Sequence, residues 1–553
     1  MTAAGVHGGV GRAGRKGAQI TMMTTLSQLI AEQAAKRGDQ VAFIGGGRAC
    51  TYAGLDAAAN QVAHGLRDAG IGPGDRVAFL AKNSLELFEV LFGASKLNAP
   101  LVVLNWRLTA DDVAYIMNDS AARVLIVGAE FAAMVDEVRG ELRSDLLILV
   151  LESENSYPAW RDRYSPAAID MPSAPGDVAL QLYTSGTTGS PKGVPLTHRN
   201  WTIAVDAHRD VYDLDESSVQ LLPLPLFHVG GLLIALLTVV AGGKTVITGQ
   251  PDPLAMLRLT EEHRITHLPV VPAILAPYVD AASRGSVDVS TLRTVYCGGS
   301  PMPESLLRAA MATFDGAHFL SGFGMTETTA TVTFLTFADH DLPGDPALAG
   351  PMIRRLRSVG RAASTAQVRI VDPATLAPRS ANEHGEIVVR GGQVMAGYWN
   401  RPDDTARAML DDGWFRTGDG GYLDDDGYLF LTDRIKDMII SGGENIYPAE
   451  VENILAGMSG VREVTVIGVP DARWGETPLA LIVRDPDATL SKQDVIEYCR
   501  AKLAHYKCPT SVQWADALPR TPSGKVMKHI LRDRYAAGGF AENRGGDSLA
   551  PAP

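Results

Sequence analysis

Small and hydroxyl-bearing residues are concentrated in the stretch YTSGTTGSPKG, residues 183–193, which contains a single lysine, Lys192. The stretch follows an apolar, strand-like segment at residues 178–182. Glycines let a backbone approach a ligand closely, hydroxyls and backbone N–H groups donate hydrogen bonds, and a lysine adds a point charge. These properties suit a polyphosphate. The predicted phosphate-binding residues are Thr184, Ser185, Gly186, Thr187, Thr188, Gly189 and Lys192.

The spacing of this stretch differs from the Walker pattern G-x-x-x-x-G-K-[ST]. After Gly186 and Gly189 the chain continues with Ser190, Pro191, Lys192 and Gly193. A P-loop NTPase is therefore excluded. A flexible turn without function would explain a short arbitrary Gly/Ser/Thr run, but the full eleven-residue string is more specific.

A second candidate motif is GFGMTETT at residues 322–329. In it, Phe323 can stack on a flat base, Thr326 can donate to a phosphate, and Glu327 can bind a divalent cation through oxygen. The stretch WFRTGDGGYL (414–423) offers Asp419, whose carboxylate can accept two hydrogen bonds from vicinal hydroxyls. Near the end of the chain, Lys525 stands on a Pro/Ser/Gly turn before a predicted helix, where a lysine alone would be an ordinary solvated charge.

Composition limits the class of protein. The chain has 553 residues, of which 46% are hydrophobic, and a formal net charge of -13. This length predicts at least two domains, and the acidic balance argues against nucleic acid as a partner. The four cysteines show no CxxC pairing, which excludes a disulfide framework or a zinc site and favours a reducing, cytoplasmic location.

Short apolar runs alternate with helical stretches along most of the chain. Strands are predicted at 76–81, 99–105, 123–128 and 146–152, with a helix at 85–97, and this alternation predicts an α/β fold with buried, mostly parallel sheets. Further strands at 384–391 and 427–434, around a turn-rich 417–427, predict a smaller sheet. The apolar run at 229–243 is shorter than the roughly 20 residues of a membrane span and is predicted to be a buried helix.

Domain boundaries follow from these patterns. Residues 1–22 are predicted to be a disordered leader, 23–433 a large N-terminal domain, 434–437 the boundary between the domains, 438–538 a small C-terminal domain, and 539–553 a disordered tail.

Taken in order, the motifs resemble those of the adenylate-forming (AMP-binding) superfamily, over nearly all the chain from about residue 26 to residue 535. The resemblance implies an α/β fold: a large N-terminal domain of stacked mixed and parallel β-sheets with helices, a β-barrel-like subdomain, and a small mobile α+β C-terminal domain. It also implies two half-reactions, in which ATP, with Mg²⁺, activates a carboxylic acid as an acyl-adenylate and a thiol such as coenzyme A then displaces AMP.

The resemblance assigns roles to individual positions. Phe323, where the family usually has tyrosine, would face adenine; Thr326 would contact the α-phosphate, and Glu327 would hold Mg²⁺. Asp419 and Arg434 would bind the ribose. The remaining positions carried over from the family are Gly298, Gly299 and Gly324 at the nucleotide, Lys436 as the hinge, Gly442 and Gly443 at the coenzyme A arm, and Lys525 as the catalytic lysine.

The acyl pocket is predicted from LPLPLFHVGGL, residues 222–232, with His228, Gly230 and Gly298 as its residues. Alternatively, His228 is a histidine of the protein core whose hydrogen bonds are satisfied within the protein. We expect a medium- or long-chain fatty acid as substrate. The alternatives are an aryl acid as substrate, or a carrier protein in place of coenzyme A as acceptor. A hypothesis from a different class is that the protein is a non-catalytic nucleotide sensor. The basic cluster RRLR (354–357) is interpreted as solvated charge; peripheral membrane contact and the oligomeric state stay open.

Overall fold

The protein is described from a computed structural model covering residues 24–152, 157–169, 173–184, 191–249, 251–285, 287–300, 302–341, 353–434, 437–441, 444–520 and 526–538. Side chains of residues 433, 434, 444 and 445 are not considered. The predicted leader and tail lie outside these ranges. Within them, no helix combines the length and the apolar character needed to cross a membrane.

The strands, numbered in chain order, are β1 (Val41–Gly45), β2 (Arg48–Thr51), β3 (Val77–Leu80), β4 (Leu101–Val103), β5 (Val124–Val127), β6 (Leu147–Val150), β7 (Val178–Thr184), β8 (Lys192–Thr197), β9 (Val219–Leu222), β10 (Lys244–Ile247), β11 (His267–Val270), β12 (Thr294–Gly298), β13 (His318–Phe323), β14 (Thr333–Leu335), β15 (Arg361–Ala362), β16 (Ala366–Val371), β17 (Gly385–Gly391), β18 (Phe415–Leu423), β19 (Leu429–Arg434), β20 (Ile439–Ser441), β21 (Glu444–Ile446), β22 (Val461–Asp471), β23 (Gly475–Arg484) and β24 (Ser511–Trp514).

The α-helices are α1 (Leu26–Arg37), α2 (Tyr52–Asp68), α3 (Leu85–Ser95), α4 (Ala110–Ser120), α5 (Ala129–Glu137), α6 (Tyr157–Arg161), α7 (His198–Arg209), α8 (Val229–Ala241), α9 (Pro253–His263), α10 (Pro272–Ser283), α11 (Glu304–Thr313), α12 (Phe337–His340), α13 (Pro402–Ala408), α14 (Pro448–Ala456), α15 (Lys492–Arg500) and α16 (Lys528–Ala536). Short 3-10 turns are at Arg139–Glu141, Thr326–Thr328 and His505–Lys507.

Two large sheets make up most of the N-terminal region. In the described residues, one sheet has nine strands in the order β15-β14-β13-β12-β11-β9-β10-β1-β2 and is parallel from β13 to β1. The other has six, in the order β6-β5-β3-β4-β7-β8, with only the β7–β8 pair antiparallel. One hydrophobic core contains residues of both sheets and of helices α1, α2, α3, α7 and α8. The prediction of a mostly parallel α/β fold is confirmed.

The predicted strands and helices agree with the observed ones apart from their ends, with one exception. The segment 417–427 is not simply a turn, because strand β18 extends to Leu423 and the reversal is confined to residues 424–428. Helix α8 is buried along almost its whole length, as predicted, and ends at Gly242, whose φ of 76° is readily adopted only by glycine.

Two smaller sheets follow in the chain. An antiparallel four-stranded sheet, β16-β17-β18-β19, is the counterpart of the predicted smaller sheet and of the β-barrel-like subdomain. After it, β20 to β24 form a separate sheet packed with α14 and α15 around its own core. These features confirm a small C-terminal α+β domain. The boundary at 434–437 remains a prediction, and Lys436 lies outside the described residues.

Buried histidines on helix α7 predict how stability depends on pH. Burial lowers the pKa of both His198 and His208 to about 4 from an ordinary value of 6.5. Between these values the unfolded chain takes up protons that the folded chain does not, so the free energy of unfolding falls as the pH decreases from 6.5 to 4. The loss should be on the order of 3 kcal/mol for each histidine. Urea unfolding at a series of pH values from 7.5 to 4.5 measures it. Unfolding midpoints independent of pH in this interval would contradict the prediction.

Candidate active site

The hydroxyl-rich stretch connects two paired strands of the six-stranded sheet. Thr184 ends β7 opposite Lys192, which begins β8. Before the stretch, the Tyr183 hydroxyl donates a hydrogen bond to Asp119 Oδ2 (2.7 Å); after it, the Tyr115 hydroxyl donates to the Pro191 carbonyl oxygen (3.2 Å). These bonds fix both ends of the stretch. The predicted phosphate contacts Ser185, Gly186, Thr187, Thr188 and Gly189 lie outside the described residues.

Lys192 is largely buried and has a carboxylate partner. Its Nζ lies 2.7 Å from Asp404 Oδ1, and their side chains are only 15% and 17% exposed. Asp404, in the first turn of α13, also accepts a hydrogen bond from Arg407 (2.8 Å). The hydrogen bonds from Lys192 and Arg407 lower the pKa of Asp404. A phosphate that approaches Lys192 must therefore compete with a carboxylate that is already ionised.

The second motif begins where strand β13 ends at Phe323. A Cβ on Gly324 would lie 2.2 Å from the Ala330 carbonyl carbon, so only glycine allows the chain to turn back here. The 3-10 turn that follows carries the carboxylate of Glu327, which is 7% exposed. Its Oε1 accepts a hydrogen bond from the Tyr398 hydroxyl (2.9 Å).

The Tyr398 ring also contacts the first motif, because Lys192 Nζ lies 5.2 Å from its centroid. A cation over an aromatic face is attracted to it. One side chain therefore brings Lys192 and Glu327 together, although 135 positions separate them in the sequence (327 minus 192).

Tyr398 belongs to residues 392–399, the bridging segment, which follows strand β17. At its start, Asn200 Nδ2 on α7 donates a hydrogen bond to the Gly392 carbonyl oxygen (2.8 Å). At its end, the Trp399 backbone N–H donates to the Gly193 carbonyl oxygen in β8 (2.8 Å). The bridging segment is thus attached at its end to β8, which carries Lys192 of the first motif, and at its start to α7, the helix that follows β8.

The middle of the bridging segment is attached to the second motif. The Met395 backbone N–H donates to the Glu327 carbonyl oxygen (2.8 Å), and Thr329 Oγ1 donates to the Gln393 carbonyl oxygen (2.8 Å). The sequence analysis assigned no function to this segment. In the sequence, the segment is marked only by two adjacent aromatic residues, Tyr398 and Trp399. Their presence does not indicate which motif they contact.

The other predicted nucleotide residues lie on neighbouring strand ends. Gly298 ends β12 and pairs with Gly322 of β13, while Gly299 follows with a φ of 76°. Asp419 lies in β18 opposite Arg434 of β19, so the two predicted ribose residues share one strand pair. Phe323 ends β13, Thr326 begins the 3-10 turn that follows, and both are half-buried. The individual roles of these residues remain predictions.

The predicted acyl-pocket residues lie at the start of helix α8. His228 is the residue preceding the helix, is half-buried, and has its ring centroid 4.4 Å from that of Phe227. A Cβ on Gly230 would meet no described atom within 4 Å. Of the remaining predicted residues, Gly442, Gly443 and Lys525 lie outside the described part of the chain.

The residues present suit a magnesium ion held jointly with a nucleotide. Among the described residues, no group of three or more His, Cys, Asp or Glu side chains could hold a metal ion. Magnesium in nucleotide sites is commonly bound by one or two carboxylates together with phosphate oxygens. Glu327 can provide such a carboxylate, since an ionised carboxylate can accept the Tyr398 hydrogen bond and still coordinate a cation.

Comparison with known proteins identifies the family of this chain. A family model described as AMP-binding enzyme matches residues 30–399, and one described as AMP-binding enzyme C-terminal domain matches residues 450–525. The chain belongs to the AMP-binding enzyme family. It is an AMP-forming acid–thiol ligase, and members of this family activate acids through an acyl-adenylate.

Curated relatives match this AMP-binding enzyme over nearly its whole length. It is 38% identical to a long-chain-fatty-acid–CoA ligase, FadD13, of Mycobacterium tuberculosis, over 88% of this chain and 93% of the relative. Identity is 40% to a feruloyl-CoA synthase of an Amycolatopsis species (89% and 95% covered). It is 38% to a fatty acid–[acyl-carrier-protein] ligase, ScoC, of Streptomyces coeruleorubidus (88% and 92% covered).

Solved structures show the same architecture. A fatty acyl CoA synthetase from Mycobacterium tuberculosis superposes with a TM-score of 0.73 at 35% identity, covering 93% of this chain and 98% of that one. ATP-bound MatB from Rhodopseudomonas palustris superposes with a TM-score of 0.83 at 30% identity, covering 92% and 99%.

The Lys192–Asp404 ion pair predicts the effect of a single substitution. Asp404→Asn removes a negative charge beside the predicted phosphate-binding lysine but keeps a hydrogen-bond acceptor. We expect the KM for ATP to fall about threefold, equivalent to about 0.6 kcal/mol, because the phosphates no longer compete with an ionised carboxylate for Lys192. Steady-state kinetics with ATP as the varied substrate measures this change.

Asp403→Asn is the matched control, because Asp403 is the exposed preceding residue and should leave the KM for ATP unchanged. An increase in the KM for ATP in the Asp404→Asn variant would mean that Asp404 positions Lys192 for the phosphates, and would contradict the prediction.

Proposed function

We propose that this protein is an ATP-dependent acyl-CoA synthetase that converts a largely apolar carboxylic acid to its CoA thioester. A medium- or long-chain fatty acid is the first candidate substrate. The observation that carries the proposal is the convergence of Lys192 and Glu327 on Tyr398. A cation and a carboxylate that both contact one tyrosine, through its ring and its hydroxyl, suit a polyphosphate with its magnesium ion.

In the proposed reaction, an oxygen of the substrate carboxylate attacks the α-phosphorus of ATP. The bond from this phosphorus to the bridging oxygen breaks, and pyrophosphate leaves with its electron pair. The coenzyme A thiolate then attacks the acyl carbon, a carbon–sulfur bond forms, and AMP departs. No side-chain nucleophile is needed, so positioning and charge stabilisation supply the catalysis.

The residues of the site would divide these tasks. Lys192 and Thr184 would hold phosphate oxygens, Thr326 the α-phosphate, and Asp419 the ribose hydroxyls. Magnesium, when bound beside Glu327, would neutralise charge on the phosphates. Lys525 would stabilise the charge that shifts between the acyl carboxylate and the α-phosphate. Gly442 and Gly443 would admit the coenzyme A arm after the C-terminal domain turns about Lys436.

An aryl acid is the second candidate substrate. The 40% identity with a feruloyl-CoA synthase supports it, because that similarity is at least equal to the similarity with the long-chain-fatty-acid ligase. A carrier protein is the alternative acceptor, supported by the relative that loads fatty acids onto an acyl-carrier protein.

We also propose a cytoplasmic location, which the four free cysteines support. The RRLR cluster gives little support to a membrane contact, since each of its arginines pairs with an acidic side chain. The pairs are Arg354–Asp424, Arg355–Asp426 and Arg357–Glu304.

Substitution of the proposed catalytic lysine tests the mechanism. Lys525→Ala should lower the rate of acyl-adenylate formation about 100-fold or more, because a donor aimed at developing charge contributes on that scale. Thioester formation from supplied acyl-adenylate should be much less affected. Rapid-quench measurement of AMP and pyrophosphate, with each half-reaction run separately, distinguishes the two effects.

Lys502→Ala, which removes an exposed lysine of the same domain, is the control and should retain both half-reactions. Equal loss of both half-reactions in Lys525→Ala would contradict a role confined to adenylation. Retention of both would remove Lys525 from the mechanism.

A substrate panel tests the proposed function. Straight-chain acids from short to very long, and aryl acids, are supplied with ATP and Mg²⁺, with and without coenzyme A, and products are identified by mass spectrometry. Acyl-CoA together with AMP and pyrophosphate is the expected result. Adenylate without thioester would favour a carrier-protein acceptor. Folded protein that forms neither product would contradict the proposal.

A further inference from the structure

A closed ring of side-chain contacts surrounds Gly193, the residue that follows the predicted phosphate-binding lysine. The ring consists of Arg76, Asp119, Gln181, Tyr183 and Trp399, which come from four separate parts of the chain. A Cβ on Gly193 would lie 2.8 Å from Gln181 Nε2, 3.1 Å from Trp399 Cβ and 3.2 Å from Tyr183 Cζ. A side chain at this position would therefore displace members of the ring.

One half of the ring is a chain of hydrogen bonds that all run in the same direction. Arg76 Nε donates to Gln181 Oε1 (2.9 Å), and Gln181 Nε2 donates to the Tyr183 hydroxyl (3.0 Å). The Tyr183 hydroxyl in turn donates to Asp119 Oδ2 (2.7 Å). The chain begins at a guanidinium and ends at a carboxylate, so each bond strengthens the next by polarisation. Gln181 is fully buried, and only one orientation of its amide makes both bonds.

The indole of Trp399 closes the other half of the ring. Its Nε1 donates a hydrogen bond to the Asp119 carbonyl oxygen (3.0 Å), and Arg76 Cζ lies over the indole, 3.6 Å from its centroid. A guanidinium is attracted to an aromatic face and stacks on it. Because Trp399 is the last residue of the bridging segment, the ring joins that segment to β7 and α4.

The ring is placed at both ends of the phosphate-binding stretch. Tyr183 directly precedes Thr184, Gly193 directly follows Lys192, and Tyr183 pairs with Gly193 in the β7–β8 ladder. The Trp399 backbone N–H also donates to the Gly193 carbonyl oxygen (2.8 Å). A segment whose ends are fixed loses less conformational entropy when it orders around a ligand. The ring therefore lowers the cost of binding phosphates to this stretch.

We propose that Arg76 and Trp399 are positioning residues for the β- and γ-phosphates of ATP, acting as one unit through the closed ring around Gly193. This inference rests on the proposed acyl-CoA synthetase function. Neither side chain is proposed to touch the nucleotide. The AMP part of ATP is assigned to Thr326 and Asp419, which lie on other elements. Opening the ring should therefore weaken contacts with ATP and spare those with an acyl-adenylate, which lacks the β- and γ-phosphates.

The first test removes the cation of the ring. Arg76→Met keeps a long side chain over the indole but removes the charge and the donor to Gln181. We expect the KM for ATP to rise about tenfold, the scale of one hydrogen bond from a charged group, with little change in kcat for adenylate formation. Thioester formation from supplied acyl-adenylate should be unchanged. Steady-state kinetics with ATP as the varied substrate, and a separate assay of the second half-reaction, measure these effects.

The second test asks whether the ring acts as one unit. Trp399→Phe keeps an aromatic face beside the guanidinium and removes the Nε1 donor, so the KM for ATP should rise about threefold, the scale of one neutral hydrogen bond. In the double variant Arg76→Met/Trp399→Phe the KM should rise about tenfold rather than about thirtyfold, because a ring that is already open loses less from a second break.

Arg484→Met is the matched control, because Arg484 also lies over an indole, 4.4 Å from the centroid of Trp514, in the C-terminal domain. It should leave the KM for ATP unchanged. A purely structural role for Arg76 would reduce the folded fraction of the variant. Such a loss lowers kcat of both half-reactions by the same factor and leaves the KM for ATP unchanged.

The outcomes separate the inference from the proposed function. Equal losses in both half-reactions, an unchanged KM for ATP in Arg76→Met, or a double variant whose KM change equals the product of the single changes would overturn the inference and leave the proposed function standing. If the unmodified protein forms no AMP from any acid, the proposed function is rejected, and calorimetric titration then decides the inference. Arg76→Met should weaken the binding of ATP with Mg²⁺ about tenfold and leave that of AMP unchanged. Equal weakening of both nucleotides, or of neither, would overturn it.

Discussion

The contact of Tyr398 with both Lys192 and Glu327 is the interaction on which the candidate site depends. A cation and a carboxylate must meet at one polyphosphate, yet they are carried by different sheets. If only side chains were in contact, the distance between Lys192 and Glu327 would vary with the conformations of two long, flexible side chains. The bridging segment, residues 392–399, fixes it with backbone hydrogen bonds to Gly193 and to Glu327. The separation is therefore set by the backbone before a nucleotide arrives.

The same arrangement keeps both groups hydrogen-bonded in the absence of substrate. Lys192 has Asp404 as a partner, and the Glu327 carboxylate accepts the Tyr398 hydroxyl. Largely buried groups of this kind would be costly to leave without hydrogen bonds. A nucleotide with its magnesium ion therefore exchanges one set of partners for another. The affinity for ATP therefore depends on the difference in free energy between the contacts that are lost within the protein and those that are gained with the nucleotide, rather than on the number of contacts.

Much of the fold could be predicted because it depends on local patterns. Apolar runs such as 123–128 become buried parallel strands, and the helix over 229–243 is apolar on all sides because the core surrounds it. The motifs also singled out Gly298 and Phe323, which lie at strand ends, and their roles in binding remain predictions. Asp404 and Tyr398 were not, because their importance arises only from contacts with residues far away in the sequence. The strand through Asp419 was interpreted as a turn because its glycines resemble turn residues.

The core beneath the glycines shows a further limit of sequence patterns. Tyr296 lies in the apolar run TVYC, where the sequence pattern predicts only that an aromatic residue is part of the hydrophobic core. Its partner, His208, is on a helix 88 residues earlier. An apolar pair would fill the same space without a buried hydrogen bond to satisfy, so a polar pair is not required for stability.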